Sequence, residues 1–554
     1  MRSSVSSNAR RLIRSLTRWL FLFAAIACCF NPSAHAHVGS PDIYAEGSAG
    51  PYRLFVTIRP PTVIPGVAEI EVRAVPDKTT DATVSGIQIA PIPLTGEASK
   101  HPPVADPMKQ STTDKQFFTG ALWIMAPGSW QVRFTVAGNQ GSGVLSIPVP
   151  ATSSSTQGMQ AGLGIVLGSL GLLLVAGVVG IVGAAVRDAQ LPAGAPAPTA
   201  SRRRAWIAMG VTLAFVAAIV LFGKLWWNSE AGDYAQKIYK PLTMQAVLSY
   251  GGAPKDAWPI LVLKIDDPGW LKSRRLDDFV LDHDHLMHLY MIRQPGMDVV
   301  YHLHPDQIAP GQFQLRLPAT EAGTYKLYAD VVHATGFPET LVAAINLPDN
   351  AFPPLRGDDA QGIAPALSQL SAAAGTACPA TPAAGPQFKL PDGYTMLWNN
   401  ANVLPARAPQ SFAFTLLDPT GKPPADMALY MGMLGHAAFV KDDGTVFAHV
   451  HPSGTVSMAA LMMAAQQNQP RASTASGAAP DGSMPERMPG SMLGMTMPGK
   501  NIAGEAATNS IPNTVSFPYG FPTPGAYRIF VQMKHGQTIE TAAFDACASP
   551  AKQP

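Results

Sequence analysis

Cysteine is scarce in this 554-residue chain. Of the four present, Cys28 and Cys29 sit in an N-terminal stretch that reads as an export signal, leaving only Cys378 and Cys547 beyond it. No CxxC pair is available for a thiolate zinc site. Neither a reactive cysteine nor a GxS pattern accompanies the histidines, so a catalytic triad finds no support and no enzymatic activity is expected. Charge is also sparse, at 14% of residues. The export signal carries five arginines and no acid, so the remainder holds 34 basic against 37 acidic residues. That balance excludes the basic footprint of a nucleic-acid partner.

What is present begins with targeting. Arg10, Arg11, Arg14 and Arg18 precede an apolar run from Trp19 to Phe30, and Ala34-His35-Ala36 offers a small-residue cleavage site, so residues 1–36 read as a signal peptide. Residues 158–228 read as a transmembrane hairpin with spans at 161–186 and 205–227. The short loop between them carries Arg187, Arg202, Arg203 and Arg204, which places it in the cytoplasm and both flanking regions outside. A bacterial inner-membrane location with two periplasmic regions is therefore expected. Gly164 and Gly168 form a GxxxG through which the spans would pack. In an oxidising compartment Cys378 and Cys547, which bracket the last domain, are candidates for a disulfide.

Outside the spans the chain reads as strands. GSWQVRFTV (128–136), GTYKLYADV (323–331) and GAYRIFVQM (525–533) share a glycine, an aromatic two residues on, and alternation thereafter. Each is followed by a polar turn and another strand, which predicts a common closing hairpin. The fold class expected is mainly β: three Ig-like β-sandwich domains at 37–157, 239–349 and 388–548 outside the membrane, plus the two-helix hairpin. Residues 350–387, rich in Ala, Pro and Gly, read as a linker, and residues 456–511 as an insertion in the third sandwich.

The strongest pattern is a duplicated histidine constellation. HLMHLYMIRQPGMDVVYHLHP carries His288, His302 and His304, and LGHAAFVKDDGTVFAHVHP carries His436, His449 and His451. His333 and His535 follow at equivalent places, eight residues after Tyr325 and Tyr527. In each copy a turn signal separates the first histidine from HxH, predicting a hairpin with His288 nearly opposite His302, and His436 nearly opposite His449. Strand periodicity sets both members of HxH on one face. Three imidazoles then converge, with His333 or His535 as a fourth donor, a set suited to copper, zinc, nickel or iron. A hydrogen-bonding network between strands would recur in both copies equally well. The run Asp282-His283-Asp284-His285 reads either as an extension of a site or, more simply, as a solvated strand entry.

Two further signals bear on the metal. Met484, Met488, Met492, Met495 and Met497 lie in a Pro/Gly/Ser background with no core to fill, and thioethers favour Cu(I). Met458, Met462 and Met463 instead have near-helical spacing and suit a packed contact. Cleavage after Ala36 would expose His37, pairing a free amine with an imidazole as a Cu(II) chelate.

Taken together, the mature start HVGSPD, the sandwich strands and the repeated HxHP resemble bacterial periplasmic, membrane-anchored proteins built from YtkA-like and CopC-like β-sandwiches, a group associated with copper handling. In CopC-like proteins the mature N-terminal histidine is a copper ligand, a role that His37 matches. The resemblance implies a non-catalytic copper-binding protein that sequesters the metal or passes it to an envelope partner. The alternative is an envelope scaffold whose histidines hold strands together.

Overall fold

A computed structural model describes residues 41–550 apart from 78–80, 190, 193, 252–257, 272–273, 352, 368–384, 401–403 and 469–510. The signal segment, His37, Cys378 and Met484, Met488, Met492, Met495 and Met497 lie outside the described residues. Cys547 is disulfide-bonded. Among the described residues the protein is mainly β, with six sheets and two long apolar helices.

The sheets come in pairs, each pair enclosing one apolar core. The first pair closes on Leu54, Val72, Phe118 and Phe134, the second on Leu263, Leu289, Tyr301 and Leu327, and the third on Phe414, Phe439, Phe517 and Ile529. The three shared motifs become three long antiparallel hairpins: Gly128–Gly138 with Gly141–Ala151, Gly323–Val332 with Pro338–Leu347, and Gly525–His535 with Thr538–Ser549. Each opening glycine has a left-handed φ, 131°, 154° and 137° in turn, a region closed to most side chains. Each aromatic two residues later donates to the carbonyl four residues before it: Trp130 to Ala126, Tyr325 to Glu321 and Tyr527 to Thr523. The motif therefore specifies one corner, built three times.

Helices Ala161–Asp188 and Thr199–Gln236 are long and apolar enough to cross a membrane. They touch at Gly183, where an added Cβ would lie 2.6 Å from the Met209 sulfur. Gly168 has nothing within 4 Å, so the GxxxG is not where they pack. A third helix, Met458–Gln466, opens the insertion. Its Ala460 and Ala464 pack on Leu94 of the first sheet pair, and its first turn is capped by Ser457 and by Asp282.

The segment read as a linker contributes to a sheet. Residues Ala360–Ile363 pair with Val299–Leu303 at the edge of the sheet ordered Pro338–Leu347, Gly323–Val332, His288–Gln294, Val299–Leu303. The outer face of that sheet packs against the corresponding sheet of the third pair. Tyr290, Ile292, Val300 and Tyr328 meet Ala438, Val440, Phe447 and Phe530 in one buried cluster. Tyr328 and Phe447 stack with ring centroids 4.3 Å apart. The first five residues of His288–Gln294 are consequently all buried, without alternation, as in strands covered on both faces.

Arg528 straps this contact. Fully buried, it forms a bidentate pair with Asp545 at 2.7 and 3.1 Å and donates across the interface to the carbonyls of Met297 and Pro365. Removing one member of a buried ion pair strands the other charge, at about 3–5 kcal/mol. Arg528→Ala is expected to lose stability of that order in urea denaturation, and Arg528→Met with Asp545→Leu distinctly less. Equal losses in the two variants would contradict this role.

Candidate metal centre

Both predicted hairpins form, with a register that differs from the expected one by two residues. Tyr290 pairs with His302 and Leu289 with Leu303, which sets His288 across from His304. Likewise Ala438 pairs with His449 and Ala437 with Val450, which sets His436 across from His451. A two-residue shift preserves the face, so all six imidazoles remain on one side of their sheets. That side is the interface between the second and third sheet pairs. The two constellations therefore lie against each other: His449 is 5.4 Å from His288 and 5.5 Å from His302 between ring centroids.

Two residues from the DHDH run complete the cluster. His283 lies 5.0 Å from His436 and 4.9 Å from His451, while His285 stacks on His304 at 3.8 Å. His283 has φ 51° and Asp284 φ 68°, forming a tight turn closed by hydrogen bonds between Asp282 and His285. The equivalent place in the third repeat holds Met431, at φ 47°. Reading the run as a solvated entry misplaces it, because His283 is buried and directed across the interface. The other reading, an extension of the site, is the one its position fits.

Among the described residues imidazole donors fall into two triads, His288, His302 and His304, and His283, His436 and His451, each gathered within 4.8 Å. A third group of the same tightness, Asp392, His535 and Glu540, lies apart. Hydrogen-bond partners settle which nitrogens carry protons. His288 Nε2 donates to the Asp282 carbonyl at 2.9 Å, leaving Nδ1 as a lone pair. His302 Nδ1 faces Gln532 Oε1 at 2.9 Å and the Tyr430 hydroxyl at 3.2 Å, while that hydroxyl donates to the Asp358 carbonyl. His302 Nε2 is thus unprotonated. His304 Nδ1 is oriented by Asp359 at 3.1 Å, and its buried Nε2 has no partner. The 3.2 Å contact between His288 Nδ1 and His302 Nε2 therefore sets two lone pairs face to face. Two nitrogens bound at about 2.0–2.1 Å to one tetrahedral ion lie roughly 3.3 Å apart, so this is a ligand-edge distance.

The second triad obeys the same logic. His283 Nδ1 donates to the Met431 carbonyl at 3.0 Å and His451 Nδ1 to the Val456 carbonyl at 3.3 Å. His436 Nδ1 donates to His449 Nε2 at 3.0 Å, with His449 Nδ1 on Asp330 at 3.3 Å. The Nε2 atoms of His283, His436 and His451 are all buried and unpartnered. An outer nitrogen tied to a hydrogen-bond partner, an oxygen in all but His436, with the inner nitrogen left bare is how ligating imidazoles are held. Burial and the neighbouring imidazoles push His288, His302, His436 and His451 well below their ordinary value, and His449 down to about 3. The rings are neutral at pH 7, the form that binds metal.

His333 and His535 do not join these triads. Each sits between two carboxylates at equivalent places: His333 between Asp278 at 2.8 Å and Glu339 at 3.0 Å, His535 between Asp426 at 3.4 Å and Glu540 at 3.0 Å. Glu339 is further held by Arg274 and Tyr239, closing that network. Burial alone would lower His333, but its bonds to Glu339 and Asp278 outweigh that and raise it. Asp392 takes part in the third-repeat network, where burial and Asp392 push Glu540 up to about 7.

The depressed histidines make the metal-free protein sensitive to acid. Below the ordinary value of 6.5 the unfolded chain takes up protons that buried His451 refuses, so that part of the stability falls as pH drops. His333, raised, and Asp330, raised to about 7 by burial, act in the opposite direction. A difference between variants isolates the effect. The stability of metal-free His451→Gln relative to the parent is expected to improve by up to about 1.4 kcal/mol per pH unit between pH 6.5 and 5. A difference independent of pH would contradict the burial of a neutral ring.

No curated protein matches the chain. A family described as a domain of unknown function, DUF8832, matches residues 389–475, a stretch that includes His436, His449 and His451. Among solved structures the chain is similar to a tetra-tandem repeat from the extending region of a large adhesion protein, at 8% identity over 88% of this chain and 71% of that one, with a TM-score of 0.16. It is also similar to the native conformation of alpha-2-macroglobulin from E. coli, at 7% identity over 93% of this chain and 23% of that one, with a TM-score of 0.20. Dimeric latent PorU from Porphyromonas gingivalis matches at 8% identity over 93% of this chain and 34% of that one, with a TM-score of 0.13. At these scores the likenesses carry no argument about fold or function.

Proposed function

We propose that this is a membrane-anchored, periplasmic metal-binding protein of bacteria that holds copper between its second and third Ig-like sandwiches and sequesters or delivers it without catalysis. The observation that carries this reading is the set of inner imidazole nitrogens left bare in a buried, water-poor interface. A lone pair without a donor is costly there, by about 1–3 kcal/mol each, and a cation removes the penalty. A purely structural network would instead engage both nitrogens of each ring, as the His333 network does.

Copper is favoured over other divalent ions by an all-imidazole donor set, since affinity of such sites rises to Cu(II) and falls again at zinc. His37 and the methionine run would be the capture groups for metal arriving from outside. The resemblance to YtkA-like and CopC-like proteins points the same way, as does the arginine-rich loop between the two helices, which would hold both large regions in the periplasm. An envelope partner would receive the metal.

The test is titration of the full-length protein in detergent with Cu(II) in air, with Cu(I) anaerobically, and with Zn(II), beside a His436/His449/His451→Ala variant. The parent is expected to bind Cu(II) more tightly than Zn(II), and the variant to lose at least tenfold in Cu(II) affinity while keeping a cooperative unfolding transition. A folded variant that takes up copper as the parent does would overturn the reading.

A further inference from the structure

We infer that the interface holds two ions side by side, one held by ligands of the second sandwich alone and one bridging both sandwiches. This deepens, and rests on, the metal-binding reading above.

The donors themselves argue for two ions. Six bare nitrogens exceed what one tetrahedral or tetragonal ion takes from imidazole. They gather as two separate sets, each within 4.8 Å, and each set of three leaves further coordination positions open. The sets abut: His283 lies 6.0 Å from His288, and His302 6.2 Å from His436, between ring centroids. His449 forms the wall between them, with its two nitrogens already taken by Asp330 and His436. Ions so close, separated only by rings, would interact magnetically.

The two sites are unlike in how they are assembled. His288, His302 and His304 all come from one hairpin of the second sandwich. The other site takes His436 and His451 from the third sandwich and His283 from the second. His449, the repeat counterpart of His302, is displaced from ligation, and His283 enters in its stead. The bridging ion therefore ties the sandwiches together. It also reaches the insertion helix, because Asp282, beside His283, accepts from Ala459 N at 2.9 Å and from the His288 ring through its carbonyl. Metal in this site accordingly links the sandwiches directly, whereas the other touches the third sandwich only through Gln532 and Tyr430, which hold His302 Nδ1.

Full-length protein in detergent, loaded with Cu(II), tests this by bound-copper analysis and electron paramagnetic resonance. The variants are His283→Asn, which tolerates the left-handed φ, His304→Asn, and the double. Each single variant is expected to bind one equivalent fewer than the parent, and the double two fewer. The parent should show a spin-coupled signal that both single variants lose. Copper should raise the melting temperature of both single variants, by mass action, and more in His304→Asn, which keeps the bridging ion, than in His283→Asn. A double variant lacking only one equivalent, or a parent without spin coupling, would overturn the pair of ions. Equal copper uptake by parent and double variant would sink the metal reading itself.

Discussion

The outer faces of two duplicated sheets pack on one another through Tyr290, Tyr328, Phe447 and Phe530, and every property of the histidine cluster depends on that contact. Closed against its twin, the face removes water, depresses the proton affinity of His288, His302, His436, His449 and His451, and leaves the inner nitrogens of the two triads without donors. Apolar contact thus creates the chemical condition of the site. Stacking such as that of Tyr328 on Phe447 adds about 0.5–1.5 kcal/mol beyond area burial. The Arg528 strap fixes the register in which the two faces meet.

Duplication explains why the centre has near symmetry without identity. Both hairpins present one histidine across from an HxH pair, and in both the first histidine contacts the nearer member at 3.2 or 3.0 Å. The symmetry breaks at the turn preceding each hairpin, where one copy carries His283 and the other Met431. In the proposed two-ion arrangement, that one difference at a left-handed turn position accompanies the change of His449 from ligand to wall and the supply of the third donor from the opposite sandwich. The carboxylate-bound His333 and His535 diverge in the same manner: Arg274 seals one network, while Asp392 enters the other.

Much of this was legible beforehand, for reasons that can be named. The glycine and aromatic of the closing hairpins are read directly because a left-handed φ and a back-bonded aromatic tip demand those residue types. The six hairpin histidines announce themselves by repetition. Repetition also groups His333 and His535 with the histidine triads, whereas Asp278 and Asp426, themselves equivalent, hold those rings apart from them, His535 in a separate group with Asp392 and Glu540. His283, present in one copy only, left two readings open, an extension of the site or a solvated entry. The union of two constellations into one centre was the hardest to foresee. Its trace in the sequence is the run HLYMIRQ, apolar on both faces, where a half-buried strand would alternate.

The central claim is that ions sit between these sandwiches on bare imidazole nitrogens. It is tested most directly by anomalous diffraction at the copper edge from copper-loaded crystals of the full-length protein. The account predicts two adjacent anomalous peaks, one against His288, His302 and His304 and one against His283, His436 and His451. Copper found elsewhere in the protein, with the interface empty and its rings hydrogen-bonded among themselves, would contradict it.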